Sequence, residues 1–215
     1  MPQPPARPAI GRQSRNGIDS TARGSYARGA AVAAKIFLQE SCKFMPTIIP
    51  LDQVDPAMVE ELLDRAFGPD RHGRTAYSVR EGTEALGGLS FAALDDDEWL
   101  AGSIQCWPVA LTDPEGRPHP MIMVGPVAVV PELQNEGYGK ALMLAAIAAL
   151  QAGGGVPLPQ VLIGDAEYYG RFFGFVAEPT QGWTLPGPYD PARLLVRAEN
   201  LSVLPRLGAL GPWRG

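Results

Sequence analysis

The sequence predicts an α+β fold built on a mixed, mainly antiparallel twisted sheet with helices on both faces. An acidic turn at 95–98 and a Pro/Gly-rich turn at 112–120 separate three apolar runs, a pattern typical of an antiparallel meander. A long Ala/Leu-rich helix follows the third run, and another apolar run, 160–165, follows that helix. Because a crossover helix joins parallel strands, the predicted sheet is mixed.

The elements follow in chain order. Residues 47–51 are predicted to form the first strand. Asp55 followed by Pro56 indicates a helix start, and Gly68-Pro69 indicates its end. The polar connection 69–87 contains a predicted short helix near 75–80, and we expect it to face substrate because loops of this length tend to be functional. Two strands, 89–94 and 99–111, flank the acidic turn, whose carboxylates are interpreted as solvated rather than metal-binding.

The second half predicts a crossover and a return to the sheet. Strand 121–130 leads into the long helix, which ends at the Gly153-Gly154-Gly155 run. The remaining predicted elements follow in chain order. They are a buried parallel strand at 160–165, a short helix at 167–172, a strand that starts at Phe175 and a last strand at 193–198.

The two ends of the chain differ from its middle. Residues 1–44 carry seven basic and two acidic residues. Because the net charge of the whole chain is −5, the remaining residues carry a net charge of −10. Rich in Pro, Gly, Ser and Arg, residues 1–44 are predicted to form a disordered basic extension, with an organellar transit peptide as the alternative. The predicted domain spans 45–200, and 201–215 is predicted to be a C-terminal tail.

Composition narrows the class of partner. An acidic domain argues against nucleic-acid binding and is compatible with a cationic, amine-bearing substrate. The longest uncharged apolar run, 141–161, is broken by glycines and prolines, so no membrane span is predicted. Cys42, Cys106, His72 and His119 have no metal-ligand spacing, so we expect no metal site. We expect a cytoplasmic protein, a monomer or a homodimer.

Pro126 lies inside an otherwise regular strand. Since proline has no N–H for the ladder, it predicts a bulge that leaves backbone groups unpaired. An extended, amide-containing ligand could satisfy those groups as a pseudo-strand. We therefore predict that strand 121–130 separates from 161–164 at its end.

The turn from Gln134 to Gly139 opens the long helix and predicts a phosphate site, because N–H groups of a first helical turn have no partner within the helix. It is not a nucleoside-triphosphate loop, because Gln134 occupies the first glycine position and Ala141 follows Lys140. It is not a dinucleotide fingerprint either, since Leu142 replaces the third glycine. A pyrophosphate cradle beside a place for an amide arm remains, and coenzyme A has both of these groups.

Two motifs carry a resemblance. The pattern Gln134-x-x-Gly137-x-Gly139, after an apolar strand ending in Val127-Ala128-Val129, resembles the acyl-CoA-binding motif of the GNAT superfamily of N-acetyltransferases. Residues 164–175, GDAEYYGRFFGF, resemble the superfamily's next motif, in a form close to a subgroup of predicted bacterial N-acetyltransferases. Over residues 46–200, the resemblance implies a GNAT-like fold with a splayed central strand pair. It also implies direct attack on acetyl-CoA by a primary amine of a small molecule or peptide.

The resemblance also implies roles for individual residues. The thioester and pantetheine would be held near Val127, Ala128 and Val129. The pyrophosphate would be held by the turn and helix start, through Gln134, Asn135, Glu136, Gly137, Tyr138, Gly139 and Lys140. Tyr169 is the predicted general acid for the departing thiolate, because a phenol of pKa ~10 is well placed to protonate a thiolate. Tyr168 is the alternative, since the spacing between the second tyrosine and Gly174 is one residue longer than is usual in the superfamily's motif.

Some assignments stay open at this point. The general base is unassigned among Asp165, Glu167, Glu98, His119 and a chain of waters, and Asp165 is favoured as a helix cap. Two further classes of function also remain. One is a non-catalytic acyl-CoA-binding or sensing module, and the other is a scaffold domain without a ligand.

Overall fold

A computed structural model describes residues 46–214, so the predicted basic extension lies outside the described residues. The strands are β1 (Thr47–Pro50), β2 (Phe91–Leu94), β3 (Leu100–Thr112), β4 (Pro118–Val129), β5 (Gln160–Ile163), β6 (Trp183–Thr184), β7 (Leu194–Arg197) and β8 (Gly208–Pro212). The helices are α1 (Pro56–Phe67), α2 (Thr75–Val79), α3 (Tyr138–Ala152) and α4 (Ala166–Phe173).

The eight strands form one mixed sheet. Its main order is β1-β2-β3-β4-β5-β7, and β8 pairs with both β3 and β6. The β4–β5 and β6–β8 pairs are parallel, while every other pair is antiparallel. The predicted fold class and the antiparallel meander that leads into a parallel crossover are both confirmed.

The predicted bulge lies at Gly125-Pro126, whose peptide bond is cis. Val127 faces Ile104 and Val124 faces Cys106, so two residues of β4 stand opposite the single residue Gln105 of β3. On its other side, β4 pairs with β5 only at Ile122–Gln160 and Met123–Val161. The two strands separate immediately before the bulge, which confirms the splayed central pair predicted from Pro126.

Helices cover both faces of the sheet. Helix α3 packs through Leu142 and Ala146 on the face that carries Ile122 and Val124. Helices α1 and α2 cover the opposite face, where Met121 and Met123 lie beneath α2 and Ala128 beneath α1. The core is therefore two apolar layers divided by the sheet, and the gap between β4 and β5 connects them.

Local signals fixed several boundaries. The Asp55 carboxylate accepts a hydrogen bond of 2.9 Å from the Ala57 N–H, with Pro56 at the first helical position, as predicted.

The predicted strand starting at Phe175 is wrong. Val176 makes a single bridge to Val196, and a 3₁₀ turn at Glu178–Thr180 follows. Pro179 has no N–H to donate to a ladder, so the apolar character of this segment reflects burial rather than strand pairing.

The sequence shows little pattern after residue 200, yet β8 lies there. It pairs with the distal half of β3, from Val109 to Thr112, on the edge that β2 leaves free. Leu210 is buried against that strand's core-facing side. Residues 208–212 thus belong to the sheet.

Candidate active site

Two cavities meet at the gap between β4 and β5. The first, here called the turn cavity, has a volume of about 560 Å³ and is lined by Gln134, Asn135, Gly137, Gly139, Lys140, Met143, Tyr168 and Phe172, among others. The second, here called the arginine cavity, has a volume of about 530 Å³ and is lined by Phe67, Arg71, Arg74, Thr75, Tyr77, Arg80, Gly125, Pro126, Gly164, Tyr189 and Arg193, among others. Val127 and Tyr169 line both.

The cavities open on opposite faces of the sheet. The turn cavity is bounded by residues of α3 and α4, which cover one face. The arginine cavity is bounded by Phe67 of α1 and by residues of α2, which cover the other. A ligand in each cavity would therefore approach its neighbour only through the gap, beside Val127 and Tyr169.

The turn before α3 is shaped by two residues in the left-handed region. Gly137, the N-cap, has φ of 104° and Asn135 has φ of 69°. Asparagine tolerates this conformation better than most residues, and glycine adopts it without steric cost. Within residues 46–214, the N–H groups of Gly137, Gly139 and Lys140 have no hydrogen-bond acceptor. These donors and the helix dipole make the floor of the turn cavity suited to an anion.

The backbone of β4 presents further groups at the gap. Val130 donates its N–H to the Ala101 carbonyl of β3, and the direction of backbone groups alternates along a strand. The N–H groups of Val127 and Val129 therefore point away from β3, towards the side that β5 has left. The Gln134 side chain donates to the Val129 carbonyl at 3.4 Å, linking the turn to this edge.

Three residues of the predicted cofactor set contribute no side chain to the turn cavity. Ala128 is buried beneath α1, and Tyr138 is buried in the core beneath α3. Glu136 is exposed and does not line the cavity. Any contact of these three with a ligand would have to come from the backbone.

Tyr169 and Tyr168 are placed differently. The Tyr169 ring is half-buried at the junction of the two cavities, whereas Tyr168 is exposed and borders only the turn cavity. The two rings meet edge to face, with centroids 5.1 Å apart. A Cβ on Gly164 would come within 2.4 Å of Tyr169 Cε2, so this glycine makes the room in which the ring lies.

Burial raises the pKa of Tyr169 to about 12, with a further upward contribution from Tyr168. The Arg193 charge opposes that rise, and Asp165 adds to it. The phenol is therefore protonated throughout the neutral range. Burial also raises the pKa of Tyr168.

The arginine cavity contains charges that the sequence analysis missed. Arg71 is fully engaged, since it pairs with Glu60 and Asp64 and donates to the Tyr77 hydroxyl. Arg74 donates to the Phe67 carbonyl, and Arg193 lies beside the Gly164 carbonyl at 3.4 Å. The available signal was the run RHGRTAYSVR at 71–80, which places three arginines in the connection expected to face substrate.

The candidate bases are distributed as follows. Asp165 caps α4 by accepting from the Tyr168 N–H at 2.7 Å, as favoured from sequence, although it also borders the arginine cavity. His119 lies with Asp113 at the start of β4, at the far end of that strand from the bulge. Glu98 and Glu167 line neither cavity. No side chain of the described chain stands out as a base at the gap.

Two properties of residues 46–214 bear on the class of protein. None of the helices there is long and apolar enough to cross a membrane. No three His, Cys, Asp or Glu side chains in that range are grouped so that they could hold a metal ion.

Comparison with known proteins gives one family and a shared fold. The family model described as "Acetyltransferase (GNAT) family" matches residues 56–175. A GNAT family N-acetyltransferase (YhbS) from Escherichia coli, solved in complex with CoA, is 22% identical with a TM-score of 0.59, over 79% of this chain and 91% of its own. A GNAT family acetyltransferase from Brucella melitensis, solved with acetyl-CoA, is 24% identical with a TM-score of 0.54, over 79% and 96%. No curated protein matches the chain in sequence.

Proposed function

The chain belongs to the GNAT family of acetyltransferases, and from that premise we propose that it transfers an acetyl group from acetyl-CoA to a primary amine. One observation carries the proposal. The turn cavity and the arginine cavity open on opposite faces of the sheet and meet at Val127 and Tyr169. A thioester held in one cavity would face an amine held in the other across the gap.

The turn cavity fits coenzyme A in its chemistry. The N–H groups of Gly137, Gly139 and Lys140, which have no acceptor in the part of the chain that the structure describes, suit a pyrophosphate. The outward N–H groups of Val127 and Val129 suit the amide arm and the thioester carbonyl, which would add to β4 where β5 has separated. Solved family members hold CoA or acetyl-CoA, which supports the same ligand for this chain.

Tyr169 would act on the sulfur that leaves. The amine nitrogen attacks the thioester carbon, the carbon–sulfur bond breaks, and the sulfur takes the electron pair. The nitrogen releases one proton to solvent water. With its pKa raised to about 12, the phenol donates a hydrogen bond to that sulfur. Complete proton transfer to a thiolate whose conjugate acid has a pKa of about 8.5 is uphill, so stabilisation of the developing thiolate is the main contribution of Tyr169.

Replacing Tyr169 by Phe tests this role. We expect kcat for thiol release to fall on the order of 10²-fold, with little change in the Kd for acetyl-CoA. Tyr168→Phe, which removes the neighbouring hydroxyl from the turn cavity alone, should reduce kcat less. A Tyr169→Phe variant with unchanged kcat across the pH range would refute the assignment.

Binding and turnover separate acetyl transfer from the non-catalytic alternative. Because a ligand of the folded state alone stabilises it, acetyl-CoA at 100 times its Kd should add about 2.7 kcal/mol to the free energy of unfolding. Thiol release with a panel of amines then reports transfer. Stabilisation without release for any amine would favour an acyl-CoA-binding module instead.

A further inference from the structure

The arginine cavity holds cationic charge that the described residues do not neutralise. Within residues 46–214, Arg74, Arg80 and Arg193 have no carboxylate partner, in contrast to the doubly paired Arg71. The two carboxylates that border the cavity, Asp165 and Asp190, are both helix caps that accept backbone N–H groups.

Arg80 is the most constrained of the three. It is only 6% exposed, and its guanidinium lies 4.2 Å from the ring centroids of both Tyr77 and Trp107. One nitrogen, Nη1, donates to the Gly125 carbonyl at 3.3 Å, directly on the bulge. Burying a charge without a counter-ion is costly, and the flanking rings offset only a fraction of that cost.

The surroundings of Arg80 show how little negative charge reaches it. Desolvation lowers its pKa to about 10, while Tyr77 and Glu60 act in the opposite direction and Arg71 adds to the lowering. A cavity wall that carries a desolvated cation without a carboxylate partner would be stabilised by an anion.

The positions of the arginines define where that anion would lie. Arg80 sits at the bulge of β4, and Arg193 sits beside Gly164 where β5 ends, so they flank the gap from its two strands. Arg74 borders the same cavity from the α2 side. Since Tyr169 and Val127 are at the base of this cavity, a group bound there would be next to the reacting atoms.

We propose that the acceptor is an amine that also carries an anionic group, a carboxylate or a phosphate, and that Arg80 binds this group together with Arg74 and Arg193. The proposal rests on the proposed function, because it names the acceptor of the same site. It also bears on the missing base. Positive charge disfavours a neighbouring ammonium, so the arginines would lower the pKa of the acceptor amine and help it to reach the nucleophilic form.

Matched amines test the substrate class. Each pair keeps the primary amine and replaces the anionic group by a neutral one: an α-amino acid against its amide, and an aminoalkyl phosphate against the aminoalcohol. We expect kcat/KM to favour the anionic member on the order of 10- to 100-fold, in line with the loss of a charge-assisted hydrogen bond. The two pairs also show whether carboxylate or phosphate is preferred.

Variants test the residues. Arg80→Gln and Arg193→Gln should raise KM for the anionic amine on the order of 10-fold or more, with the KM for acetyl-CoA unchanged. Arg206→Gln is the matched control, because Arg206 is exposed and lines neither cavity. If Arg80→Gln fails to fold, the exposed Arg193→Gln still decides the result, since its side chain carries no buried charge.

Binding of the anionic amine in the presence of CoA, measured by calorimetry, separates this inference from the proposed function. Binding that the arginine variants lose, without turnover, supports the anion site and contradicts the transferase. Turnover of neutral or cationic amines equal to that of their anionic partners overturns the anion site and leaves the transferase standing. If the anionic amine neither binds nor turns over, both the anion site and the transferase are overturned.

Discussion

At the scale of single residues, the contact between Gly164 and Tyr169 can be tested directly by substitution. An alanine methyl at 164 would lie 2.4 Å from Tyr169 Cε2 and 2.9 Å from Leu162 Cδ1, so the tyrosine ring must move. We expect Gly164→Ala to lower kcat on the order of 10²-fold, because a displacement of about 1 Å at a reacting group has that effect. Steady-state kinetics of thiol release measures it.

A double variant shows whether Gly164 acts through the tyrosine. Residues that share one function are not additive. Gly164→Ala combined with Tyr169→Phe should therefore be no slower than Tyr169→Phe alone. Additive losses would mean that the methyl acts by another route, such as closing the arginine cavity.

Gly139 offers a second substitution that separates binding from stability. A methyl there would make ordinary contacts, at 3.7 Å from Val129 Cγ2 and 3.9 Å from Val127 Cγ1. Because alanine favours a helix over glycine, Gly139→Ala should keep or slightly raise Tm. The same methyl stands among residues lining the turn cavity, so we expect Kd for acetyl-CoA to rise on the order of 10-fold.

Gly137→Ala is the comparison for that variant. Its φ of 104° is unfavourable for alanine, so we expect both Tm and acetyl-CoA affinity to fall. Thermal melts with and without acetyl-CoA report both quantities. If Gly139→Ala raised Tm and left the acetyl-CoA Kd unchanged, the turn cavity would not hold this ligand.

Sequence alone predicted residues whose chemistry is local and missed those defined by distant contacts. Asp55, Pro56 and Pro126 act through their own backbone or its nearest neighbours, and their effects follow from residue type. Arg80 lies in a polar connection that was predicted to face substrate, and its residue type gave no indication that it is buried. It is buried because Trp107 and the Gly125 carbonyl, which lie far along the chain, form its environment.

At the scale of elements, the bulge at Gly125-Pro126 does more than separate β4 from β5. Before it, the even-numbered Ile122 and Val124 face α3, and after it the odd-numbered Val127 and Val129 do. Since successive side chains alternate between faces, one inserted residue reverses the assignment. The same irregularity thus directs Val127 towards the turn cavity and leaves the preceding strand register intact.

The turn between β3 and β4 contains a carboxylate held by several hydrogen bonds. Buried Asp113 accepts from the His119 ring at 3.0 Å, from the Arg117 N–H at 2.9 Å and Nε at 2.8 Å, and from the Glu115 N–H at 3.0 Å. The His119 hydrogen bond first, and then the Arg117 contacts, outweigh desolvation and hold its pKa well below the usual range. We expect Asp113→Asn to lower the denaturation midpoint at neutral pH.

The sign of the pH dependence follows from the lowered pKa. The stability that Asp113 contributes is fully present above the unfolded-state pKa of about 3.9 and is lost as pH falls through the folded-state value. As the pH falls from about 5 to about 2, the parent should therefore lose more stability than Asp113→Asn. Urea denaturation over this range measures the difference, with the exposed Asp96→Asn as control. Equal slopes in parent and Asp113→Asn would contradict this account.

Elements defined by their neighbours were harder to predict than elements defined by periodicity. Helices α1 and α3 followed from spacing, caps and glycines. Strand β8 is GALGP, which has no strand signature of its own, and it pairs because β2 leaves one half of β3 uncovered. Phe175 and Trp183 are buried without forming a long strand. The hydrophobicity of this segment therefore indicates burial in the core and does not indicate strand pairing.

At the scale of the whole molecule, charge balance was a poor guide to the site. Residues 45–215 carry a net charge of −10, which suggested a cationic substrate. The cavity beside Tyr169 nevertheless concentrates Arg74, Arg80 and Arg193, because the acids lie elsewhere or are engaged as caps and ion pairs. A local field is set by which side chains converge, and the sum over a chain does not contain that information.

The two-sided gap in the sheet has a consequence for the order of events during turnover. A donor entering from the α3 side and an acceptor entering from the α2 side do not block one another, so both should occupy the protein together. Cys106, the free cysteine of residues 46–214, is buried with its pKa raised to about 12 by burial, and so offers no relay for the acetyl group. Initial-rate plots for the two substrates should therefore intersect, and parallel lines would reveal a covalent intermediate instead.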